Sequence, residues 1–394
     1  MRLLHTSDWH LGRTFHGHST DAHLEQVLDA LAAAVKDRGV DAVIVAGDVF
    51  DSSTPKAEAF AMLNRVVAAV RSVGAQVVLT SGNHDGPARL GHMADFAAFG
   101  GVHVRTDLAR LADPVLLTDE NGQVAIYALP YIHPEFLRAA YGDFGGSTHA
   151  QALSFAMDLV RADSEARRAD APGLRTVVAS HCFAAGVEAT TEDSGRAEER
   201  DITRGGLNIV PLSVFDGMDY AALGHIHGRQ TLTERVRYSG APLRFSFGER
   251  ASAKGAWLVD LDAHGLERVE WLELPTPRAA VRLQGTLEAL LADGAHPEAV
   301  DCWVEAVLTD DQLPREAMRR LQTRYPFAVT LSHRPAGRHD HGDATYATRV
   351  EGRSDAQIVD EFLTFVRNGQ GPTEAERALL HDAFQALEVK ESSR

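Results

Sequence analysis

The sequence predicts a layered α/β domain, followed by a small α+β domain and a helical C-terminal tail. Three observations support this interpretation. The first 85 residues alternate between buried-strand and amphipathic-helix patterns, Pro275-Thr276-Pro277 marks a linker, and two amphipathic stripes follow Ser354. The predicted boundaries are 1–275 for the first domain, 278–335 for the small domain, 336–353 for a flexible linker and 354–394 for the tail.

The first domain opens with three strand patterns separated by two helical ones. Apolar residues recur at helical spacing in two segments and form short continuous runs in three others. The predicted elements are a strand over Met1 to Ser7, a helix over Asp21 to Arg38, a strand over Asp41 to Ala46, a helix over Lys56 to Val73 and a strand over Gln76 to Thr80.

The middle of the chain continues with strands and one long helix. We expect a more antiparallel region over Val102 to Tyr131 and a helix over Thr148 to Ala169. The charged stretch Glu188 to Arg204 contains almost no apolar residues and indicates a surface loop. Further strands are predicted at Val124 to Leu129, Arg175 to Ala179, Asp219 to Leu223, Ala256 to Leu261 and Arg268 to Leu274.

The tail carries two helix candidates, each with an apolar stripe. Ile358, Phe362 and Phe365 belong to the first stripe, while Thr373 and Glu376 form a candidate capping box before the second. These stripes either pack on their own domain or dock against the helices of a partner.

Composition limits the classes of function. The net charge of −16 argues against a protein that coats nucleic acid through general attraction, although a nucleic-acid enzyme remains compatible with it. No apolar run approaches the ~20 residues that span a bilayer, and the N-terminal residues lack a signal-peptide pattern. We therefore expect a cytoplasmic protein. Cys182 and Cys302 are too far apart to indicate a metal-binding motif.

Polar residues with metal-binding groups follow five of the predicted strands. Alternation along an extended chain is expected to place His225 and His227 on the same side. Carboxylate, imidazole and amide ligands without thiolates suit a borderline divalent ion such as manganese, iron or zinc. The candidate ligands are Asp8, His10, Asp48, Asn83, His181, His225 and His227.

The same positions suggest a two-ion phosphoryl-transfer site. Two ions ~3.5 to 4 Å apart, bridged by one carboxylate, can activate water and stabilise both oxygens of the reaction. Asp48, directly after Gly47, is the expected bridge. His84 then remains as general acid for the leaving oxygen, and Asp51 is a candidate for orienting its ring.

The motifs resemble those of the calcineurin-like metallophosphoesterase family. They are Asp8-Trp9-His10, Gly47-Asp48-Val49-Phe50-Asp51, Gly82-Asn83-His84-Asp85, His181 after a strand, and Gly224-His225-Ile226-His227. The resemblance implies a β-sandwich flanked by helices. It also implies that metal one takes Asp8, His10, Asp48 and His227, and that metal two takes Asp48, Asn83, His181 and His225.

A narrower resemblance is to the SbcD family of bacterial nuclease subunits. It is carried by Thr6 to Gly12, by Gly47 to Asp51 and above all by Tyr238 to Glu249. It implies a manganese-dependent DNA nuclease with 3′ to 5′ exonuclease action on duplex ends and endonuclease action on single strands or hairpins, in DNA repair and recombination. The small domain would be a capping domain. The chain would act as a homodimer with an SbcC-type coiled-coil ABC ATPase, bound through the tail.

Two other functions fit parts of the pattern. A small-molecule phosphodiesterase or phosphomonoesterase of the same superfamily would use the same ligands without needing the small domain or the tail. A scaffold on an inactive phosphoesterase fold is the second alternative, and the intact ligand set argues against it. Arg13, Arg89 and Arg250 are candidate phosphate contacts, or solvated surface arginines.

Overall fold

The protein is seen here in a computed structural model, which describes residues 1–186, 209–335, 352–367 and 369–391. It divides into two compact units, Met1–Arg278 and Ala279–Arg394. The predicted surface loop from Glu188 to Arg204, and nearly all of the predicted linker 336–353, lie outside the described residues.

The first unit alternates strands and helices along the chain. Its strands are β1 Arg2–Thr6, β2 Thr14–Phe15, β3 His18–Ser19, β4 Ala42–Ala46, β5 Gln76–Thr80, β6 Val102–Arg105, β7 Val115–Asp119, β8 Gly122–Leu129, β9 Arg175–His181, β10 Tyr220–Gly224, β11 Gln230–Thr231, β12 Val236–Tyr238, β13 Gly255–Asp262 and β14 Gly265–Glu273. Its helices are α1 Asp21–Asp37, α2 Ala57–Ser72, α3 Pro87–Leu90, α4 Ala94–Phe99, α5 Pro134–Ala140 and α6 His149–Asp170.

Two six-stranded mixed sheets carry the first unit. The first has the order β14-β13-β1-β4-β5-β6 and the second the order β11-β12-β10-β9-β8-β7. Neighbours from β1 to β6 run parallel in the first sheet, and β8, β9, β10 and β12 run parallel in the second. The antiparallel pairs are β14–β13 and β13–β1 in the first sheet, and β11–β12 and β8–β7 in the second.

The two sheets pack face to face, with helices on both outer faces. Neighbouring residues of one strand point to opposite faces, so Leu3 packs between the sheets while Leu4 packs under the helices. The core between the sheets also includes Ile44 and Val177. A third core joins the second sheet to α6 through residues such as Met157. The predicted layered fold, a β-sandwich flanked by helices, is confirmed.

The region from Val102 to Tyr131 is less antiparallel than the sequence predicts. β6 pairs parallel with β5, because the short helix α4 returns the chain to the same end of the sheet. The β7–β8 hairpin is antiparallel as expected. Helix α6 begins with a capping box between Thr148 and Gln151, which satisfies the first free N–H groups of the helix.

The second unit contains a small sheet and the tail helices. The sheet is parallel in the order β15-β16-β17, and Leu287–Leu291 and Ala317–Gln322 are its helices. The three strands, continuing the numbering, are β15 Ala280–Gly285, β16 Trp303–Leu308 and β17 Ala328–His333.

The tail forms two helices, Asp355–Val366 and Glu374–Glu391. Thr373 and Glu376 exchange hydrogen bonds, which confirms the predicted capping box. Among the described residues, no helix is both long enough and apolar enough to cross a bilayer.

Candidate metal centre

The candidate ligands gather where the carboxyl ends of strands from the two sheets meet. β1, β4 and β5 lead to the segments that carry Asp8, Asp48 and Asn83. β9 ends at His181, and β10 ends one residue before His225. Because these strands run parallel within each sheet, residues that are distant in the chain emerge at the same edge.

One side of the site contains Asp8, His10 and His227. One ligand atom from each lies within 4.8 Å of the others. The Nε2 atoms of His10 and His227 are 3.1 Å apart. Phe245 packs against both imidazole rings and limits their movement.

The other side contains Asn83, His181 and His225. The Oδ1 atom of Asn83 is 3.0 Å from Nε2 of His181 and 3.1 Å from Nδ1 of His225. The main-chain N–H of His225 donates to both carboxylate oxygens of Asp8 at 3.1 Å, which connects the two sides.

Asp48 lies between the two sides. Its Oδ2 atom is 3.6 Å from Nε2 of His10 and 3.3 Å from Nε2 of His181. Its Oδ1 atom accepts a hydrogen bond of 2.9 Å from the main-chain N–H of His84. One carboxylate oxygen therefore faces imidazoles from both sheets.

His225 and His227 reach the site in a different way from the one predicted. Strand β10 ends at Gly224, and His225 has a φ of 104°, so the chain is not extended here. Both rings reach the site, but the strand alternation from which this was predicted does not apply, because β10 has already ended. The bend instead turns His225 towards Asn83 and His227 towards His10.

Backbone strain is concentrated at this site. Eight described residues other than glycine have a positive φ, and four of them are candidate ligands. Such conformations cost of order 1–3 kcal/mol each and persist only where the surrounding structure holds them. Main-chain bonds from Asp8 to Gly47 and from His10 to Asp48 do so here. The four residues are Asp8, His10, Asp48 and His225.

Two glycines allow the ligand segments to approach closely. A Cβ on Gly47 would lie 2.3 Å from Nδ1 of His181, and one on Gly82 would lie 2.0 Å from Oδ1 of Asp48. Gly47 also has a φ of 85°, which favours glycine. Any larger residue at either position would displace a candidate ligand.

Electrostatics favour an anionic Asp48, with neutral rings at His10 and His225 and a protonated ring at His181. Burial alone would raise the pKa of Asp48, yet His181 and His10 hold that pKa well below its ordinary value. Burial lowers the pKa of His10 to about 4 and that of His225 to about 3. Burial also disfavours protonated His181, but the Asp48 carboxylate raises the pKa of His181 to about 9. A bound cation would instead favour the unprotonated ring of His181.

His84 lies at the edge of the site and is positioned by a carbonyl group. Its Nδ1 atom donates to the main-chain oxygen of Asp51 at 3.1 Å. The carboxylate of Asp51 instead faces Nδ1 of His10 and the guanidinium of Arg13, each at 3.4 Å. Asp51 thus contacts the His84 ring through its main-chain carbonyl and not through its carboxylate, and its role in orienting that ring stays a prediction.

The three candidate phosphate-binding arginines occupy different environments. Arg13 is buried, and its guanidinium lies 4.9 Å from the centre of the Phe245 ring. Arg89 is exposed and donates to the carbonyl oxygen of Ser53. Arg250 is exposed and donates to the carbonyl oxygen of Phe247.

Sequence reasoning gave no role to Asp85, although it follows His84 directly. Its carboxylate accepts hydrogen bonds from the main-chain N–H groups of Val49, Phe50 and Gly82 at 2.8–3.0 Å. It therefore ties the segment of Asp48 to the segment of Asn83. Burial raises the pKa of Asp85 to about 7.

Comparison with known proteins identifies related sequences. Residues 1–229 match the calcineurin-like phosphoesterase family, and residues 277–367 match the family described as type 5 capsule protein repressor C-terminal domain. The chain is 32% identical over 343 residues to the SbcD subunit of the nuclease SbcCD from Escherichia coli strain K12, covering 85% of each chain. The same values hold for its counterpart in Escherichia coli O157:H7. A solved dimetal phosphatase from Danio rerio is 14% identical, with a TM-score of 0.39, covering 69% of this chain and 98% of that one.

Proposed function

The chain belongs to the calcineurin-like phosphoesterase family, and from this premise we propose that it is a manganese-dependent DNA nuclease. Its activities would be 3′ to 5′ exonuclease action on duplex ends and endonuclease action on single strands and hairpins. The observation that carries the proposal is the convergence of carboxylate and imidazole groups on Asp48. The similarity to nuclease subunits supports DNA as the substrate.

The donor atoms fit a pair of divalent ions. Nδ1 of His181 donates to the carbonyl of Ala46 at 2.9 Å, and Nδ1 of His10 and His227 each face a carboxylate oxygen at 3.4 Å. With a cation bound and their Nδ1 atoms protonated, these three rings would present unprotonated Nε2 atoms to it.

The spacing of His10 and His227 supports the same conclusion. Two unprotonated Nε2 atoms 3.1 Å apart repel each other unless a positive charge lies between them. The donor set contains oxygen and nitrogen without thiolate, which suits manganese.

We assign the ligands in two groups that share one residue. Metal one would be held by Asp8, His10, Asp48 and His227, and metal two by Asp48, Asn83, His181 and His225. Two ions held by these residues would supply a water nucleophile at neutral pH and would neutralise charge on the scissile phosphate.

The protein's own groups then control the proton of the leaving oxygen. The carbonyl of Asp51 accepts from Nδ1 of His84 and so turns the other ring nitrogen, Nε2, away from the backbone. The main-chain N–H of His84 is bound to Asp48, which fixes the residue beside the bridging carboxylate. We propose that Nε2 of His84 donates a proton to the leaving oxygen as general acid.

The decisive experiment is cleavage of a labelled DNA hairpin and a blunt duplex with manganese. We expect the wild type to cut both, and His84→Ala to cut about 10²- to 10⁴-fold more slowly while binding the same amount of metal. Hydrolysis of bis(p-nitrophenyl) phosphate should fall less, because nitrophenolate leaves without needing a proton.

His264→Ala is the matched control, because His264 is an exposed histidine of the same unit, in the turn between β13 and β14. It should behave as the wild type on all three substrates. Hydrolysis of the small ester alone, even with an ATPase partner added, would reject the nuclease proposal in favour of a small-molecule phosphodiesterase. Equal loss on DNA and on the small ester would reject the general-acid role.

We also propose that the tail binds an SbcC-type coiled-coil ABC ATPase. Both tail helices expose apolar side chains, among them Phe365 at 50% and Leu379 at 69% exposure. The relatives are each named as one subunit of a nuclease, which supports a second subunit for this chain. The net charge of −16 fits a division of labour in which the partner supplies much of the DNA contact.

Finally, we propose that the chain forms a homodimer through helix α4 and the residues before it. Phe96 is 73% exposed and Phe99 is 90% exposed, and their rings contact each other. Met93 is exposed on the same segment. An apolar cluster of this kind is typical of a protein interface.

A further inference from the structure

Glu249 and Lys254 form a buried ion pair beside the candidate metal centre. Each side chain belongs to a residue that is only 3% exposed. Nζ of Lys254 lies 2.5 Å from Oε2 of Glu249. Burying two charges is expensive, and apolar residues of similar size often stabilise a protein more than a buried pair does. The pair therefore needs an explanation other than stability.

Both members of the pair contact His227. Oε1 of Glu249 faces Nδ1 of the His227 ring at 3.4 Å, and Nζ of Lys254 donates to the His227 carbonyl oxygen at 2.9 Å. One residue of the pair thus contacts the ring of His227 and the other contacts its backbone. Nε2 of the same ring is directed at His10.

The carboxylate of Glu249 is itself held in place. Its Oε1 atom accepts from the main-chain N–H of Phe245 at 3.3 Å and from the hydroxyl of Ser246 at 3.0 Å. Lys254 immediately precedes β13, which pairs with β1, the strand that leads to Asp8 and His10. The pair therefore connects His227 to the strand that supplies the other ligands on its side.

We propose that Glu249 and Lys254 are positioning residues for metal one. The Glu249 carboxylate accepts the Nδ1 proton of His227, so that the unprotonated Nε2 atom faces the ion, and Lys254 fixes both the carboxylate and the His227 backbone. This inference rests on the assignment of His227 as a ligand in the proposed function. A carboxylate behind a histidine ligand is a general means of orienting the ring and increasing its basicity.

The test is manganese binding by isothermal titration and by electron paramagnetic resonance of free Mn²⁺. We expect the wild type to bind two ions, and Glu249→Gln to lose about 10- to 100-fold in affinity at one of the two sites. At a manganese concentration that saturates the wild type, the variant should hold one ion. Raising the manganese concentration should restore the second ion.

Glu305→Gln is the matched control for the loss of a buried carboxylate. Glu305 is 6% exposed and pairs with Arg282 at 2.6 Å in the second unit. The Glu305→Gln variant should have a lower melting temperature than the wild type but the same affinity for manganese. Unchanged affinity at both sites in Glu249→Gln, or an equal loss in Glu305→Gln, would overturn the inference.

Glu249→Gln leaves Lys254 buried without its partner, which can prevent folding. The double variant Glu249→Gln with Lys254→Met removes both charges and should still show the weakened site.

The protonation of the His227 ring can also be measured in the wild type, without changing Glu249 or Lys254. In ¹⁵N-histidine spectra, with His227 assigned through His227→Gln, the Nδ1 of His227 should carry the proton, and an Nε2-protonated ring would contradict the proposal.

The outcomes separate this inference from the nuclease proposal. A wild type that binds two manganese ions but leaves DNA uncut would refute the nuclease and leave the role of Glu249 standing. A Glu249→Gln variant that binds both ions as tightly as the wild type, while the wild type cuts DNA, would refute only the positioning role.

Discussion

His5 shows how a single buried residue connects the two sheets. It lies on β1, and its ring contacts the Tyr220 hydroxyl at 2.9 Å and the Leu223 carbonyl at 3.1 Å, both on β10. For Nε2 to donate to the carbonyl, Nδ1 must be unprotonated and accept from the hydroxyl. β1 leads to Asp8 and β10 leads to His225, so this contact lies behind both sides of the candidate metal centre.

This environment predicts a dependence of stability on pH. Burial lowers the pKa of His5 from 6.5 to about 3. Between pH 6.5 and pH 3, His5 is protonated in the unfolded chain but stays neutral in the folded chain. The contribution of neutral His5 to the free energy of unfolding is therefore fully present above pH 6.5 and is lost as the pH falls towards 3. At pH 5 the loss is about 2 kcal/mol.

The measurement is chemical denaturation of metal-free wild type and His5→Gln between pH 5 and 8. We expect His5→Gln to have a lower free energy of unfolding than the wild type at pH 8. The difference between the two proteins should be about 2 kcal/mol smaller at pH 5, because glutamine does not titrate and only the wild type loses stability. His264→Gln, in the exposed β13–β14 turn, should give a curve parallel to the wild type. A difference that is constant across this range would contradict the prediction.

The sequence was sufficient to select candidate ligands that the structure brings together, but not the contacts that orient them. Asp8, Asp48 and His181 each follow apolar strand residues, so their convergence at one sheet edge could be predicted from local pattern. The structure gathers the candidate ligands, and their role in binding metal stays a prediction. The contact between His181 and the carbonyl of Ala46 joins residues 135 positions apart, which no local pattern reveals. Asp85 and Glu249 were missed for the same reason.

At the scale of elements, periodicity predicted the long helices and the central strands well. Helix α1 and helix α2 begin and end within about a residue of their predicted bounds, because their apolar spacing continues to each end. Short elements were less predictable. Helix α4 has only six residues and no buried side chain, so its sequence shows no core-facing stripe.

The exposed phenylalanines of α4 give the prediction for dimerisation. Charge introduced at Phe96 would be desolvated in an interface through α4, so Phe96→Asp should convert the dimer to a monomer. Sedimentation velocity should then show a wild type of twice the 42.7 kDa chain mass and a variant at the single-chain mass.

Phe136→Asp is the control for this experiment, because Phe136 is 66% exposed but lies on helix α5. It should remain dimeric. A dimer that persists in Phe96→Asp, or one that is lost in Phe136→Asp as well, would contradict the role of α4.

At the scale of the whole molecule, the candidate metal centre and the two tail helices belong to different units of the chain. All the candidate ligands lie in the unit Met1–Arg278, whereas the tail helices lie in the unit Ala279–Arg394. The division falls next to Pro275-Thr276-Pro277, where the composition of the sequence changes. The change in composition marks where a core ends, but apolar stripes alone could not show whether the tail buries them.

In the structure the two tail helices are joined by ion pairs while apolar side chains stay exposed. Arg367 contacts Glu376 at 2.8 Å, and Arg377 contacts Asp360 at 3.0 Å. The described side chains of both helices include exposed large apolar residues, which are Phe362, Phe365, Val366, Leu379 and Leu387. The pair of helices therefore presents an apolar surface of the kind that docks against a partner's helices.

We expect Phe365→Asp combined with Leu379→Asp to weaken binding of an SbcC-type coiled-coil ATPase by at least about 30-fold, the loss expected from one interface hot spot. Hydrolysis of bis(p-nitrophenyl) phosphate should be unchanged, because neither residue belongs to the unit that holds the candidate ligands. Leu313→Asp is the matched control, since Leu313 is 51% exposed in the same unit but outside the tail. Biolayer interferometry with the immobilised ATPase measures the affinity. Retained affinity in the double variant would exclude the tail as the docking surface, and equal loss in Leu313→Asp would show that the effect is not specific to it.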